Sequence, residues 1–229
     1  MKDKIFNIDS PFFRCMSLIG DLMLLNLMWI LLSLPIITIG ASTTALLYTG
    51  MKLAKGRDGY VIQNFWKSFK QNFKQSTIIY LLMLVLGAVL GYSVWFWMGH
   101  SDMVGKICAV LAVCGLLVYL IELLFVFAVQ AKFDNTIFQT MKNALVMGIQ
   151  NFPVTILCAV GVGLLIGLNY TFVVANVLTL VIGVGVLGWV LGMFYNLAFR
   201  KYIPQEEKKE DEWHVPEEED ENTSISKAD

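Results

Sequence analysis

Residues 76–98 read STIIYLLMLVLGAVLGYSVWFWM, without one charged side chain. An α-helix rises 1.5 Å per residue, so about 20 apolar residues cross about 30 Å of hydrocarbon. In that medium every backbone N–H and C=O needs an internal partner, which a helix provides. Working outward, 105–130 has the same character with only Lys106 and Glu122 charged, and 153–169 and 176–199 carry no charge. A fifth run extends from about Cys15 to Leu34. Ser10-Pro11 suits its N-cap and first turn, and Pro35 ends it, because proline lacks an N–H and disfavours helix in the residue before it.

The whole composition agrees. Of 229 residues, 57% are hydrophobic and 15% charged, against about 45–50% and 25% in soluble domains, which argues against a soluble enzyme. The formal charge of −1 hides a division: 204–229 holds eleven acidic residues against three lysines, and residues 1–203 are net basic. We therefore expect a membrane helical bundle over 1–203 and a disordered acidic cytoplasmic tail over 204–229, too poor in apolar residues to offset its ordering entropy. The run at Cys15 is too long for a signal-peptide core and reads as a retained helix. Cys15, Cys108, Cys114 and Cys158 lie scattered in apolar segments, as small hydrophobes.

Residues 36–54, apolar but rich in Thr, Ser and Gly, read either as a short sixth crossing packed inside the bundle or as a re-entrant helix. Lys and Arg accumulate on the cytoplasmic side. Lys52, Lys55, Arg57, Lys67, Lys70 and Lys74 place 52–75 inside, and Lys132, Lys142, Arg200 and Lys201 place 131–152 and the C-terminus inside. The loops 99–104 and 169–175 contain no Lys or Arg. Lys2, Lys4 and Arg14 against Asp3 and Asp9 draw the N-terminus inside too, which favours the sixth crossing; a re-entrant version would put the N-terminus outside.

Two amphipathic stretches lie between spans. In 60–75, Ile62, Phe65, Trp66, Phe69 and Phe73 recur at helical spacing beside Lys67, Lys70 and Lys74. Such a helix lies along the headgroups, with its rings toward the acyl chains and its ammonium groups toward anionic lipid or a docking partner. In 134–150, Phe138, Met141, Ala144 and Leu145 share a face. The fold class expected is thus all-α: a polytopic bundle of five to six spans with two cytoplasmic amphipathic helices. Gln71-Asn72-Phe73 before Thr77-Ile78, and Gln150-Asn151-Phe152 before Thr155-Ile156, suggest a weak parallel repeat of surface helix, span, turn and span.

Asp21 and Glu122 are acids inside apolar runs, functional candidates by position. Counted from the inner span ends they lie ~9 Å and ~12 Å deep, so a shared polar site is one reading. The other is that each is satisfied by bundle neighbours or by Arg14, Arg57 or Lys132. Asn26, Asn176 and Asn196 suit interhelical hydrogen bonds, each worth about 0.6 kcal/mol. Gly87/Gly91, Gly163/Gly167 and Gly188/Gly192 have the spacing that lets helices approach closely, within the bundle or in a homo-oligomer. Catalytic and metal motifs are missing. Gly99 to Lys106 resembles a phosphate loop, but its spacer is one residue too long and Ile107 replaces Ser/Thr. His100 and His214 are the only histidines. No cofactor is expected, and the lysines of 52–75 suit lipid headgroups better than nucleic acid.

Asp21-Leu22-Met23-Leu24-Leu25-Asn26-Leu27-Met28-Trp29, then Ser33-Leu34-Pro35-Ile36-Ile37-Thr38-Ile39-Gly40-Ala41-Ser42-Thr43-Thr44-Ala45-Leu46, resemble the YesL-like bacterial membrane proteins, a domain-of-unknown-function family. Gly59-Tyr60, Phe65 to Gln75, Ala131 to Thr136 and Lys142-Asn143-Ala144 are similar to its later blocks. The resemblance implies a multi-pass protein of the bacterial plasma membrane. It supplies no catalytic residues, and it implies a carbohydrate-uptake setting, beside ABC-type transporters. The function expected is a non-catalytic accessory or regulatory component of such uptake. The alternative is a small transporter or channel using Asp21 and Glu122.

Overall fold

The structure, a computed structural model, describes residues 11–56, 60–100 and 102–202. The expected acidic tail, the charges at Lys2, Asp3, Lys4 and Asp9, the N-cap Ser10 and Arg57 lie outside the described residues, as does the Arg14 side chain. The chain divides into a unit of residues 1–198 and a second of 199–229; the architecture that follows is that of the first.

Among the described residues the fold is all-α. The helices are α1 (Pro11–Ser33), α2 (Ile39–Leu53), α3 (Val61–Met98), α4 (Met103–Lys132), α5 (Ile137–Gln150), α6 (Phe152–Thr171), α7 (Val173–Leu178) and α8 (Val184–Phe199). A 3₁₀ turn, Ile36–Thr38, leads into α2, and a π turn, Thr179–Gly183, joins α7 to α8. Five helical segments are long and apolar enough to cross a membrane: Cys15–Ser33, Val61–Met98, Met103–Lys132, Phe152–Thr171 and Val173–Phe199.

α2 is not among them. It has 15 residues, about 22 Å at helical rise, short of the hydrocarbon thickness, so the favoured sixth crossing is not met in length. Eleven of the fifteen are buried, which explains the small residues the sequence places there. The polypeptide turns back after α1: the Thr38 hydroxyl donates to the carbonyls of Leu32 and Pro35, and Trp29 Nε1 donates to Thr43 Oγ1 at 3.4 Å. α2 then descends antiparallel to α3. The Thr44 and Ser76 hydroxyls meet at 2.9 Å, and Lys52 Nζ donates to Asn64 Oδ1 at 2.9 Å. The α1–α2 hairpin therefore returns the Lys52 end of α2 to the level of Asp21, whether or not it crosses fully. The link between a re-entrant 36–54 and an inverted N-terminal end does not hold.

Residues 61–75 are not a separate surface helix. They are the first turns of the 38-residue α3, and their buried face packs on protein: Val61, Phe65 and Phe69 join Leu22 and Leu25 of α1 and Ala41, Ala45, Leu46 and Leu53 of α2 in one core cluster. α4 returns along α3, with the Tyr119 hydroxyl donating to the Met83 carbonyl at 3.0 Å and Gln130 Nε2 to Asn72 Oδ1 at 3.0 Å. α5 forms where expected, but its buried residues are Thr140, Ala144, Met147 and Gly148. Phe138 is 78% exposed, so the expected face is rotated: Thr140 is drawn inward because its hydroxyl donates to Gln130 Oε1.

α8 crosses α2 where both are glycine. A Cβ on Gly50 would collide with the Gly188 carbonyl, and one on Gly192 with the Gly50 backbone, so Gly188/Gly192 serve packing inside the chain. Gly163 and Gly167 face open space, with no atom within 4 Å of a Cβ built on either.

Candidate functional site

Asn26 is fully buried on α1, and its amide enters the π turn. A π turn adds a residue to the helix and leaves backbone groups without their i→i−4 partners. Asn26 Oδ1 accepts from the N–H groups of Val184 at 2.9 Å and Gly185 at 3.0 Å, and Nδ2 donates to the Leu180 carbonyl at 2.6 Å. Gly185 allows this, because a Cβ there would strike the Leu22 carbonyl. The polar role expected of Asn26 is thus a joint between α1 and α8. Asn196 Nδ2 donates to the Met51 carbonyl at 2.8 Å and Asn176 Nδ2 to the Asn169 carbonyl at 3.0 Å. Asn169, which the sequence reading passed over, also donates to Thr179 Oγ1 at 2.8 Å.

The two acids do not share a site. Asp21 lines a cleft of about 200 Å³ with Leu24 of the same helix and Tyr60, Val61, Ile62 and Gln63 at the start of α3. Glu122, partly buried on α4, lies within electrostatic reach of Tyr119, as does Tyr80, and Tyr119 bonds Met83. Some 20 residues of α3 separate the two places, roughly 25–30 Å at helical rise. The equal depths came from counting to assumed span ends, whereas α3 starts 15 residues before its apolar run. Among the described residues Glu122 has no hydrogen-bond or ion-pair partner, and no group of three His, Cys, Asp or Glu could hold a metal.

The expected lipid or docking set divides in two. Phe65 is 0% exposed and Phe69 8%; both are core residues, and this corrects their assignment to the outer face. Trp66 is 42% exposed, and Lys67, Lys70 and Lys74 are exposed. Helical spacing identifies the buried face of 61–75 but not what buries it, and here that is α1 and α2. The phosphate-loop-like stretch is a helix start: Asp102 caps α4, accepting from the Gly105 N–H at 3.2 Å.

Among the described residues, an all-α bundle with five span-length apolar helices and a buried helix of 15 residues defines an integral membrane protein. Residues 22–94 match the profile of a family described as "Protein of unknown function, DUF624". That match covers α1 from Leu22, all of α2 and α3 to Val94, and takes in most of the residues on which the YesL-like resemblance rests; the blocks at 131–144 lie beyond it. No curated protein and no solved structure matches the chain.

Proposed function

We propose that this protein is a YesL-like, non-catalytic accessory or regulatory component associated with carbohydrate uptake of the ABC type in a bacterial plasma membrane. The supporting observation is the dispersal of its chemistry. Asp21 and Glu122 stand far apart, Asn26 is consumed in joining two helices, and the exposed charges of α3 are lysines near one end of the helix. By the positive-inside rule that end is cytoplasmic, and so is the C-terminus. Lys67, Lys70 and Lys74, with Trp66, are then available to meet lipid or a partner on the cytoplasmic face. Co-purification from native membranes in several mild detergents tests the reading. Recovery of a transport component supports it, and recovery of only lipid and further copies of the chain counts against it.

The transporter reading survives only with Asp21 or Glu122 acting alone. Its supporting observation is Glu122, a carboxylate without a hydrogen-bond partner among the described residues of a span. Reconstituted protein would show sugar or proton flux that falls on Glu122→Gln; flux unchanged in that variant and in Asp21→Asn would sink it.

A further inference from the structure

The base of α3 is braced in a way its composition does not reveal. Val61, Phe65, Ser68, Phe69 and Ser76 are buried, and at 100° per residue they cluster in one sector of the helix. Lys67, Lys70 and Lys74 fall within an arc of roughly 60° whose centre lies roughly 180° from that sector. The three lysines therefore stand on the face of α3 opposite the core. Ile62, Trp66 and Phe73 stand beside them, roughly 90° round the helix, at 52%, 42% and 38% exposure.

Phe69 ties the exposed rings to the core. Its ring lies 5.9 Å from that of Trp66 and 5.4 Å from that of Phe73, and 6.5 Å from the fully buried Phe65. Lys70 Nζ sits 5.0 Å from the centre of the Trp66 ring, a cation–π distance. A row of exposed lysines thus runs beside an aromatic ridge anchored to the core, on a helix that continues without a break into the apolar run 76–98.

From this geometry we infer that Trp66, Lys67, Lys70, Phe73 and Lys74 form a binding surface for the phosphate groups of anionic phospholipids in the adjoining leaflet. The lysines meet the phosphates, Phe73, about 5 Å along the helix from the apolar run, rests at the boundary with the acyl chains, and Trp66, about 15 Å from it, lies among the headgroups, where amphipathic rings also settle. Charge complementarity selects the lipid. The exposed ridge favours a lipid over an acidic protein, because a purely electrostatic partner leaves those rings without cover. The inference needs only that the chain is an integral membrane protein, and stands apart from the accessory role.

The full-length protein, purified in a mild detergent and titrated with phosphatidylglycerol or phosphatidylcholine under native mass spectrometry, tests it. Each lysine near an anionic surface is worth about fivefold in partitioning. Lys67→Gln/Lys70→Gln/Lys74→Gln is expected to lower phosphatidylglycerol retention by about a hundredfold and leave phosphatidylcholine retention unchanged. Lys106→Gln, on α4, is expected to change neither. If the triple variant does not fold, Lys70→Gln and Lys74→Gln singly carry the test at about fivefold each. Three results would overturn the inference: wild-type retention of phosphatidylglycerol in the lysine variants, an equal loss in Lys106→Gln, or capture of an acidic protein through these lysines with no preference for phosphatidylglycerol.

Discussion

α3 and the pair α5–α6 are built from the same ingredients, amphipathic turns followed by an apolar span, yet α3 runs for 38 residues while its counterpart divides after 14. The local chemistry matches closely. Asn72 Nδ2 donates to the Ser68 carbonyl at 3.1 Å, and Asn151 Nδ2 to the Met147 carbonyl at 3.0 Å, each one turn back along its helix. The difference follows two residues later, where α3 has Lys74 and the second unit has Pro153. Proline lacks the ladder donor, and its ring would clash with the carbonyl four residues back, that of Ile149, in a continuous helix; the chain bends at Asn151, with φ −107° and ψ 46°, and Pro153 takes the first turn of α6. The comparison points to Pro153 as the residue that separates amphipathic turns hinged from a span from those that extend one. α2 stands between the two units, with α3 along one side and α8 across the other.

The largest effect expected is at that crossing. Gly50→Leu would force α8 off α2, and we expect more than a tenfold loss of monodisperse protein by size-exclusion chromatography; a normal yield would show that the two units do not depend on α2. Next, Lys74→Pro imposes on α3 the break of its counterpart and costs ~3 kcal/mol or more, read as a lowered melting temperature. A variant as stable as wild type would mean that the continuity of α3 carries no load.

Asn26→Leu removes three hydrogen bonds and leaves the π turn unsatisfied, loosening the seat of α8 on α1, a loss of about 2–3 kcal/mol read as a lowered melting temperature. Pro153→Ala returns a donor to the hinge and is expected to slow amide exchange around 151–155 by roughly tenfold. Unchanged exchange would assign the bend to packing instead. Smallest of all is the coupling of the two acids. Asp21→Asn and Glu122→Gln are expected to add within about 0.5 kcal/mol in a double-mutant cycle, and a larger coupling would reinstate a common site.

The spans were legible because hydrocarbon imposes one rule on length and composition, and 76–98, 105–130 and 153–169 all fall inside observed helices. What lipid does not dictate was harder to read. The Gly, Ser and Thr content of 39–53 marks close packing, but sequence alone does not distinguish burial by protein from burial in lipid. The same ambiguity turned Phe65 and Phe69 outward in expectation and inward in fact. Asn26 was recognisable as an interhelical donor, whereas the π turn it serves has no local sequence mark: Thr179 to Gly183, TLVIG, reads as part of an ordinary apolar run. The separation of Asp21 from Glu122 depends on the register between α1 and α3, which no single helix encodes.

The Asn26 joint also bears on how the chain is made. Its partners lie 154 to 159 residues downstream, so during synthesis α1 enters the membrane long before α8 exists. Until α8 arrives, a carboxamide without those partners faces lipid or a provisional neighbour, a costly state for a polar group. α8 thus fastens α1, and a chain that stops before Gly185 leaves the Asn26 carboxamide short of the partners that hold it in the folded bundle.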